Sequence, residues 1–251
     1  MLGRIFAGRG APEMPAAPSG TVLYAIGDVH GRVDLLRELG GLIRADAEGR
    51  AATRRVAVCL GDYVDRGADS RAVIELLLHE PWPGFERIHL MGNHEALMLR
   101  FLDDIDIGPT WLTYGGRQTL ASYGIDAPTY QDGEPGLRRA QSAMRDKLPR
   151  EHVDFLRTLP LTHQEGGFVF VHAGLRPGIP LTEQREEDLL WIRDEFLDCN
   201  DPFEAMVIHG HTITREPDIR RNRVGIDTGA FASGHLTALA IEGTERLFLQ
   251  T

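Results

Sequence analysis

The 251-residue sequence is poor in cysteine, aromatic residues and positive charge. Its two cysteines are too few for a disulfide framework, and Cys59 stands in an apolar run typical of a buried strand, so we expect reduced thiols. No apolar run approaches the roughly 20 residues that a membrane-spanning helix needs. With 37 acidic and 27 basic residues the net charge is −10, which opposes attraction to nucleic acid and anionic lipid. We therefore expect no nucleic-acid partner and no membrane association.

Length and composition favour one folded domain behind a tail. The charged fraction of 25% and the hydrophobic fraction of 42% match an average soluble globular protein. Residues 1–20 carry Arg4 and Arg9 but no apolar region of signal-peptide length, and their content of Ala, Pro and Gly is typical of a flexible tail. We expect a flexible tail over 1–20, a single domain over 21–251 and a cytoplasmic location.

Strand and helix patterns alternate in the first half of the sequence. Short apolar runs predict strands over 21–26, 55–60, 86–91 and 167–171, and leucine spacing predicts helices over 33–47 and 71–78. This alternation indicates βαβ units with parallel strands. Further strands are expected over 206–208, 224–226, 236–241 and 245–249, the last of these in an antiparallel hairpin or meander. The stretch 102–161 is expected to add helices and loops over the sheet, with no role assigned to it.

Five polar clusters each follow a predicted strand, at 27–31, 61–67, 92–95, 171–174 and 209–212. Groups at the carboxyl ends of strands in α/β sheets converge on one crevice. Carboxylates, an amide and imidazoles, without a thiolate, suit hard to borderline divalent metals. A two-metal centre needs a ligand that touches both ions, and Asp62, a carboxylate flanked by a glycine turn, is the candidate for this bridge.

The order of these motifs resembles the phosphoprotein phosphatases within the calcineurin-like metallophosphoesterases. The matching stretches are GDVHGR at 27–32, GDYVDRG at 61–67, GNHE at 92–95, VHAG at 171–174 and GHT at 210–212. Together with DLLWIR at 188–193, they look most similar to the small bacterial and phage branch that includes bacteriophage lambda phosphatase. The resemblance implies an α/β fold, a metallophosphatase-type sandwich of two mixed β-sheets flanked by helices, as one catalytic domain.

The same resemblance implies a dinuclear metal site. It assigns one ion to Asp28, His30 and Asp62, and the other to Asp62, Asn93, His172 and His211. Manganese is the favoured ion, although Fe, Zn, Mg and Co accept the same oxygen and nitrogen ligands.

Four further residues resemble catalytic groups of the family. Asp65 and His94 match its acid pair, in which the carboxylate orients the imidazole. Arg66 matches its phosphate-binding arginine, and Arg193 is similar to a second one, in a stretch where arginines are frequent. Surface ion pairing is the alternative for Arg66.

Several neighbouring residues have structural interpretations. The position of His209 varies in the family pattern, so we expect this residue to pack or to hydrogen-bond near the site. Glu95 is expected to stabilise the N-terminus of a helix beginning near residue 96. Trp111 and the glycines at 115–116 either line a substrate groove or serve as core and turn residues.

The resemblance implies a hydrolase of phosphate monoesters that uses metal-activated water, with His94 as general acid. Phosphoserine or phosphothreonine proteins and peptides are the favoured substrates. Symmetrical cleavage of diadenosine tetraphosphate is the first alternative, and small phosphoesters are also candidate substrates. A catalytically silent protein-binding module is a further alternative, but such a module needs neither the metal ligands nor the acid pair.

The aromatic content bears on the choice between peptide and dinucleotide. Aromatic residues make up 7% of the chain, and Tyr63, Trp111 and Tyr114 are those near the expected site. A dinucleotide hydrolase needs apolar or aromatic surfaces for two adenosines. These three residues suggest no paired stacking platform, so the sequence favours phosphopeptides.

Overall fold

The computed structural model describes residues 14–79 and 82–251, which form ten strands and ten α-helices. The strands are β1 (Thr21–Ile26), β2 (Arg54–Cys59), β3 (Phe85–His89), β4 (Thr162–Glu165), β5 (Phe168–Val171), β6 (Met206–His209), β7 (Asp218–Ile219), β8 (Arg223–Gly225), β9 (Thr237–Glu242) and β10 (Glu245–Gln250). The helices are α1 (Val33–Glu48), α2 (Ser70–His79), α3 (Asn93–Asp103), α4 (Gly108–Trp111), α5 (Arg117–Ser122), α6 (Gly133–Lys147), α7 (Arg150–Arg157), α8 (Glu186–Trp191), α9 (Asp194–Leu197) and α10 (Ala230–Ser233). Short 3₁₀ turns lie at Ile105–Ile107, Tyr130–Asp132 and Leu181–Glu183, and a π-helical turn at Leu112–Gly116 joins α4 to α5.

The strands form two mixed sheets of five strands each. The first has the order β10-β9-β1-β2-β3, with β1, β2 and β3 parallel and β9 antiparallel to both β1 and β10. The second has the order β4-β5-β6-β8-β7, with a parallel centre of β5, β6 and β8 and antiparallel edges. The parallel centre of each sheet brings several carboxyl ends of strands to one edge.

Side-chain alternation along the strands assigns each sheet two buried faces. On β1, Leu23 and Ala25 join a cluster with residues of the second sheet such as Phe168 and Ile208, so the two sheets pack face to face. Val22, Tyr24 and Ile26 point to the other face, into a core shared with the helices. The outer face of the second sheet packs against α8 and α9 through Leu189, Ile192 and Phe196. The result is a sandwich of two mixed sheets flanked by helices, as the family resemblance implies.

Most element boundaries agree with the sequence prediction within one or two residues. The predicted hairpin at the end of the chain is formed by β9 and β10. The helix expected to begin near residue 96 begins three residues earlier, at Asn93, so His94 lies in its first turn. The stretch 102–161 is helical, from the end of α3 to α7, and buries Trp111, Leu120 and Met144 in the helix-side core.

The expected tail over 1–20 lies only partly within the described residues, since residues 1–13 are outside them. Residues 16 and 17 are held by the fold: the Ala17 backbone N–H donates to the Gly243 carbonyl at 2.8 Å and the Gly167 N–H donates to the Ala16 carbonyl at 3.0 Å. Ala17 is buried against the core between the sheets. Residues 16 and 17, part of the expected tail, are therefore attached to the fold, because they satisfy backbone groups next to β5 and at the turn between β9 and β10.

Each of the described helices is too short or too polar to cross a bilayer.

Candidate metal centre

The loops after β1, β2, β5 and β6 and the first turn of α3 meet at one edge of the sandwich. In the part of the chain that the structure describes, the non-glycine residues with positive φ all lie in these loops, with φ from 44° to 71°. They are His30, Asp62, Asp65, Arg66 and His211. Such conformations cost free energy and persist only where the surrounding structure enforces them, typically at functional sites. Every one of these residues was a predicted site residue.

The close approach of two loops explains why the motif at 210–212 begins with glycine. A Cβ on Gly210 would lie 2.0 Å from Oδ1 of Asp28, so a side chain here would displace the carboxylate. With glycine in place, the backbone N–H of His211 donates to Oδ2 of Asp28 at 2.9 Å. The loops after β1 and β6 are thus joined directly at the site.

Asp62 lies at the middle of the cluster and its two oxygens face different groups. Oδ2 is 3.4 Å from Nε2 of His30 and 3.8 Å from Nε2 of His94, while Oδ1 is 3.4 Å from Nε2 of His172. Two sets of potential ligand atoms therefore share this carboxylate, one with His30 and His94 and one with His172 and His211. The placement fits the bridging position predicted for Asp62.

Hydrogen bonds to backbone carbonyls set the tautomers of two histidines. Nδ1 of His30 lies 2.9 Å from the Val64 carbonyl oxygen, and Nδ1 of His172 lies 2.9 Å from that of Leu60. Because a carbonyl oxygen only accepts, Nδ1 carries the proton and Nε2 keeps its lone pair. Both lone pairs point towards Asp62, as expected for imidazoles that bind a metal ion.

Asn93 brings a further oxygen to the set. Its Oδ1 lies 2.8 Å from Nε2 of His172 and 2.9 Å from Nδ1 of His211. Nε2 of His211 and Oδ1 of Asp28 are both buried without a hydrogen-bond partner among the described residues. Electron pairs concentrated in this way are destabilising unless a cation is shared between them. The donor set thus fits two divalent ions.

The electrostatics of the cluster also favour metal binding. Burial lowers the pKa of His30 to about 3 and that of His211 to about 2, so both imidazoles are neutral, the form that binds metal. Burial raises the pKa of Asp62, but charge attraction to the surrounding histidines, His172 first, outweighs it and the pKa is lowered. This attraction requires a positive charge beside the carboxylate, which divalent ions would supply when the imidazoles are neutral.

Asp227, which the sequence analysis did not single out, adds a second carboxyl beside Asp28. Burial and then the charge of Asp227 raise the pKa of Asp28 well above its usual range, and burial raises the pKa of Asp227 to about 6. Divalent ions would relieve this repulsion. The sequence feature that could have identified Asp227 is its position two residues after β8, a strand beside β6. Asp227 stands in no recognised motif.

The predicted acid pair is formed by a short hydrogen bond. Nδ1 of His94 lies 2.8 Å from Oδ2 of Asp65, and both side chains are buried. Burial lowers the pKa of His94, but the charges of Asp62 and Asp65 outweigh it and the pKa is raised. Nε2 of His94 lies 3.4 Å from a terminal nitrogen of Arg66. The ligand atoms of His94, His30 and Asp62 also lie close enough together to share one metal ion. The geometry alone is therefore compatible with His94 as an acid or as a metal ligand.

The two predicted arginines lie on different sides of the cluster. The guanidinium of Arg66 stacks on Phe231, with Cζ 4.7 Å from the ring centre, and this ring also meets His30 edge-on at 5.4 Å. Arg193 donates to the hydroxyl of Thr212 at 3.1 Å and to the His211 carbonyl at 3.3 Å. The structure thus brings both arginines to the site, Arg193 through contacts with the loop after β6.

Glu95 does more than stabilise the end of a helix. Its carboxylate accepts from Gly92 N at 3.0 Å, which caps α3 as predicted. It also accepts from the backbone nitrogens of Asp62 at 2.8 Å, Tyr63 at 2.7 Å and Val64 at 3.1 Å. One buried carboxylate thereby holds the whole turn that presents Asp62, a role that the sequence analysis missed.

His209 is buried and hydrogen-bonds beside the site, in agreement with expectation. Its Nδ1 lies 3.1 Å from the Gly210 carbonyl oxygen and its Nε2 lies 3.3 Å from a terminal nitrogen of Arg223. Its ring packs edge-on against Phe196 at 5.0 Å.

The rim of the site is more aromatic than the sequence analysis predicted. Tyr63 and Trp111 are fully buried, but the half-exposed Tyr114 lies 6.2 Å from Trp191 between ring centres. Tyr114 also lies 6.1 Å from His94, and Trp191 lies 6.1 Å from His211. Tyr63, Trp111 and Tyr114 thus form no paired surface among themselves, but Trp191 of α8, far along the chain, adds a second ring beside Tyr114 that the sequence did not reveal.

Comparison with known proteins agrees with this geometry. The family model of calcineurin-like phosphoesterases matches residues 21–235. The chain is 27% identical to serine/threonine-protein phosphatase 2 of Salmonella typhimurium, covering 88% of this chain and 93% of the relative. It is 25% identical to an asymmetrical bis(5′-nucleosyl)-tetraphosphatase of Anoxybacillus flavithermus, covering 85% of this chain and 88% of the relative.

A solved structure supports the fold. A protein provisionally identified as a diadenosine tetraphosphatase superposes with a TM-score of 0.60 at 21% identity, over 94% of this chain and 98% of that one. With the two mixed sheets and the buried His and Asp groups at their edge, the family match leads to one conclusion: the chain belongs to the calcineurin-like phosphoesterases, a family of metal-dependent hydrolases.

Proposed function

We propose that the chain hydrolyses phosphate monoesters and that its substrates are phosphoserine and phosphothreonine side chains of proteins or peptides. The observation that carries this proposal is the buried hydrogen bond between Asp65 and Nδ1 of His94. In the proposed site, two divalent ions, with Mn²⁺ as the first candidate, would be held by Asp28, His30, Asp62, Asn93, His172 and His211.

The chain's own residues bind and orient the phosphate. When bound, two divalent ions would supply an activated water and neutralise charge on the phosphoryl oxygens. Arg66 and Arg193 add two positive charges, and the guanidinium is well shaped to bind phosphate oxygens. These charges are local, within a protein whose net charge is −10. A phosphate captured by Arg66 would lie next to Nε2 of His94, because these two groups are 3.4 Å apart.

The acid pair matters most for a poor leaving group. Cleavage at serine or threonine expels an alkoxide, which must receive a proton as the bond breaks, whereas a nucleotide leaves as a stable phosphate anion. Nε2 of His94, when protonated and with Nδ1 held by Asp65, would make such a transfer, and general acids typically contribute about 10²- to 10⁴-fold. The pair therefore favours an alkyl phosphomonoester over a dinucleoside polyphosphate.

Dinucleoside polyphosphate hydrolysis is the second candidate, and the rim of the site favours it. Tyr114 and Trp191 form a paired aromatic surface beside His94 and His211, on which a nucleobase could stack. The relative from Anoxybacillus flavithermus is named for this activity. A silent binding module has no comparable support, since it needs neither the acid pair nor the metal ligands.

A substrate panel with one Mn-loaded preparation tests the proposal. Protein purified without chelator or added metal is first analysed for metal content and then loaded with Mn²⁺. Phosphate release from phosphoserine and phosphothreonine peptides is compared with cleavage of diadenosine tetraphosphate. We expect a higher kcat/KM for the peptides, with tolerance of varied flanking sequence. A dinucleotide preference of about tenfold or more, which equals about 1.4 kcal/mol, would overturn the assignment.

The products and one variant sharpen the comparison. Two molecules of ADP would indicate symmetrical cleavage of the dinucleotide, whereas ATP with AMP would indicate asymmetrical cleavage. If a base of the dinucleotide stacks on the rim, Trp191→Leu should reduce dinucleotide cleavage and leave phosphopeptide hydrolysis within about threefold of the wild type. If no base stacks there, both activities should stay within about threefold.

A further inference from the structure

We propose that Trp111 and Thr119 are positioning residues that fix Asp65, and through it the imidazole of His94, for proton transfer to the leaving group. This inference rests on the proposed function, because it gives a task to residues behind the acid pair. It also assigns a role to the first part of the helical stretch 102–161.

Three side chains share the carboxylate of Asp65. Oδ2 accepts from Nδ1 of His94 at 2.8 Å and from Nε1 of Trp111 at 3.0 Å, while Oδ1 accepts from the hydroxyl of Thr119 at 2.6 Å. Asp65, Trp111 and Thr119 are all fully buried. The oxygen that binds His94 is thus fixed from behind by an indole N–H and cannot exchange with its partner oxygen without breaking both bonds.

The backbone of Asp65 is tied to the same groups. Its N–H lies 2.9 Å from the hydroxyl oxygen of Thr119 and 3.0 Å from that of Ser70. Thr119 therefore contacts both the backbone and the side chain of Asp65, whose φ of 71° is unfavourable for a residue with a side chain. Threonine and serine together hold a strained residue in place, which a buried aliphatic side chain would not do.

The π-helical turn sets the spacing of these contacts. Trp111 ends α4 and Thr119 lies in α5, with the wide turn Leu112–Gly116 between them. Within it, the Gly115 carbonyl accepts from the backbone N–H of Arg66 at 3.3 Å. Gly115 has φ 113°, and a Cβ there would lie 2.5 Å from Arg66 N. The turn is therefore kinked at Gly115 and packs directly on the backbone of the acid-pair loop, an approach that only glycine allows.

A purely structural role for Trp111 predicts a different result. Trp111 also packs on Phe101, with ring centres 4.9 Å apart, so it belongs to the helix-side core. If packing were its only contribution, phenylalanine would preserve activity at some cost in stability. If positioning is its task, loss of the N–H should impair turnover of poor leaving groups in particular.

The test compares two aryl phosphates with one set of variants. Trp111→Phe removes the indole donor and Thr119→Val removes the hydroxyl with little change of volume. For each we expect kcat to fall by about tenfold or more with phenyl phosphate, the loss typical of residues that orient an active-site group. With 4-nitrophenyl phosphate, whose leaving group needs little protonation, we expect a loss below about threefold. KM and the bound metal content should stay at wild-type values.

Matched controls separate positioning from folding. Trp82→Phe changes another buried tryptophan of the same core, and Thr113→Val changes a threonine of the π-helical turn that bonds to the Pro109 carbonyl instead. Both controls should keep the wild-type ratio of the two substrates. Thr119→Ser, which retains a hydroxyl donor, should recover most of the activity that Thr119→Val loses, so the proposal can be tested even if Trp111→Phe does not fold.

Two outcomes would overturn the proposal. Equal losses with both substrates, or no loss with either, would mean that Trp111 and Thr119 only support the fold. The acid assignment has its own readout, because His94→Asn must itself be selective for phenyl phosphate. If His94→Asn lowers both rates equally while the positioning variants are selective, the role of His94 is wrong and the contact network around Asp65 acts on another group.

Discussion

The strand-end loops and the helical stretch 102–161 both contribute residues to the site, but only the loops carry recognisable sequence motifs. The loops carry the five motifs, their residues are polar, and several adopt strained backbone conformations. The helical stretch carries no motif and reads as ordinary core and surface, yet it supplies Trp111 and Thr119 to Asp65. Groups expected to touch metal or phosphate thus stand in motifs, whereas Trp111 and Thr119, which hold Asp65, are identified only by their contacts.

The difference has a physical cause. Few residue types can bind a divalent ion or a phosphate, so the loops are restricted in composition and spacing. A hydrogen-bond donor behind a carboxylate can come from many residue types on any neighbouring element. The two regions should therefore respond differently to substitution, with loop variants changing chemistry and helical variants changing either orientation or stability.

The largest effect is expected in the loops, at Asp62. Asp62→Asn removes the charge between the two ligand sets and should lower metal occupancy at both positions, because both oxygens of Asp62 face histidines. Turnover of 4-nitrophenyl phosphate should fall by more than about 100-fold, beyond the loss typical of an orienting residue. Asp28→Asn should mainly empty one position. Metal analysis after desalting, together with the rate, checks both variants.

Chelation provides the matching test on the unchanged chain. Activity should disappear when the ions are removed and return when Mn²⁺ is added, since ions are expected to provide both the nucleophile and part of the phosphate site. Full activity in a chelated, metal-free sample would contradict the two-metal proposal.

A second loop variant separates chemistry from metal binding. His94→Asn should keep two ions and a melting temperature near that of the wild type, yet lose about 10²- to 10⁴-fold in turnover of phosphoserine peptides. His79→Asn, at an exposed histidine of α2, is the control and should change neither quantity. Loss of metal from His94→Asn would instead identify His94 as a ligand, the alternative that its position near Asp62 admits.

The arginines should show a smaller effect. Arg66→Ala should lower kcat/KM by about 10- to 100-fold, because one or two charge-assisted hydrogen bonds to the phosphate are lost. It should also weaken inhibition by inorganic phosphate. Arg193→Ala should cost less, because Arg193 already donates to Thr212 and to the His211 carbonyl. Steady-state kinetics with phosphate as inhibitor measure both. A larger loss for Arg193 would reverse the proposed order of the two arginines.

The smallest effect on activity is expected inside the helical stretch, away from Asp65. The buried amide of Gln141 donates to the Phe101 carbonyl at 2.7 Å. Gln141→Leu leaves this carbonyl without its donor and should lower the free energy of unfolding by about 1–3 kcal/mol, or several degrees in Tm, with kcat unchanged. Gln164→Leu, at an exposed position of β4, should shift stability by less than about 0.5 kcal/mol. A drop in kcat for Gln141→Leu would show that the helical stretch influences the site beyond Trp111 and Thr119.

Much of the fold and the candidate site followed from local patterns. The alternation of apolar runs predicted the parallel strands of the first sheet, and the last strands were expected as a hairpin, which β9 and β10 form. All six predicted ligands meet around Asp62 or Asn93, although their role as ligands stays a prediction. Asp227 was not predicted as a site residue, because one aspartate after a strand is more often a turn residue than part of a site. Trp191 was noticed only as part of a motif, since its neighbour Tyr114 lies far away in sequence.

The sequence alone indicated the family, most of the strands and the set of groups able to bind metal, because these depend on residue type and on spacing along the chain. The tertiary structure decided which atoms face one another. It placed the carboxylate of Glu95 under the turn of Asp62, joined Tyr114 to Trp191 at the rim and set the indole of Trp111 behind Asp65. Such contacts join residues separated by 33 to 77 positions, and no local pattern records them, because burial and direction arise only when the elements pack.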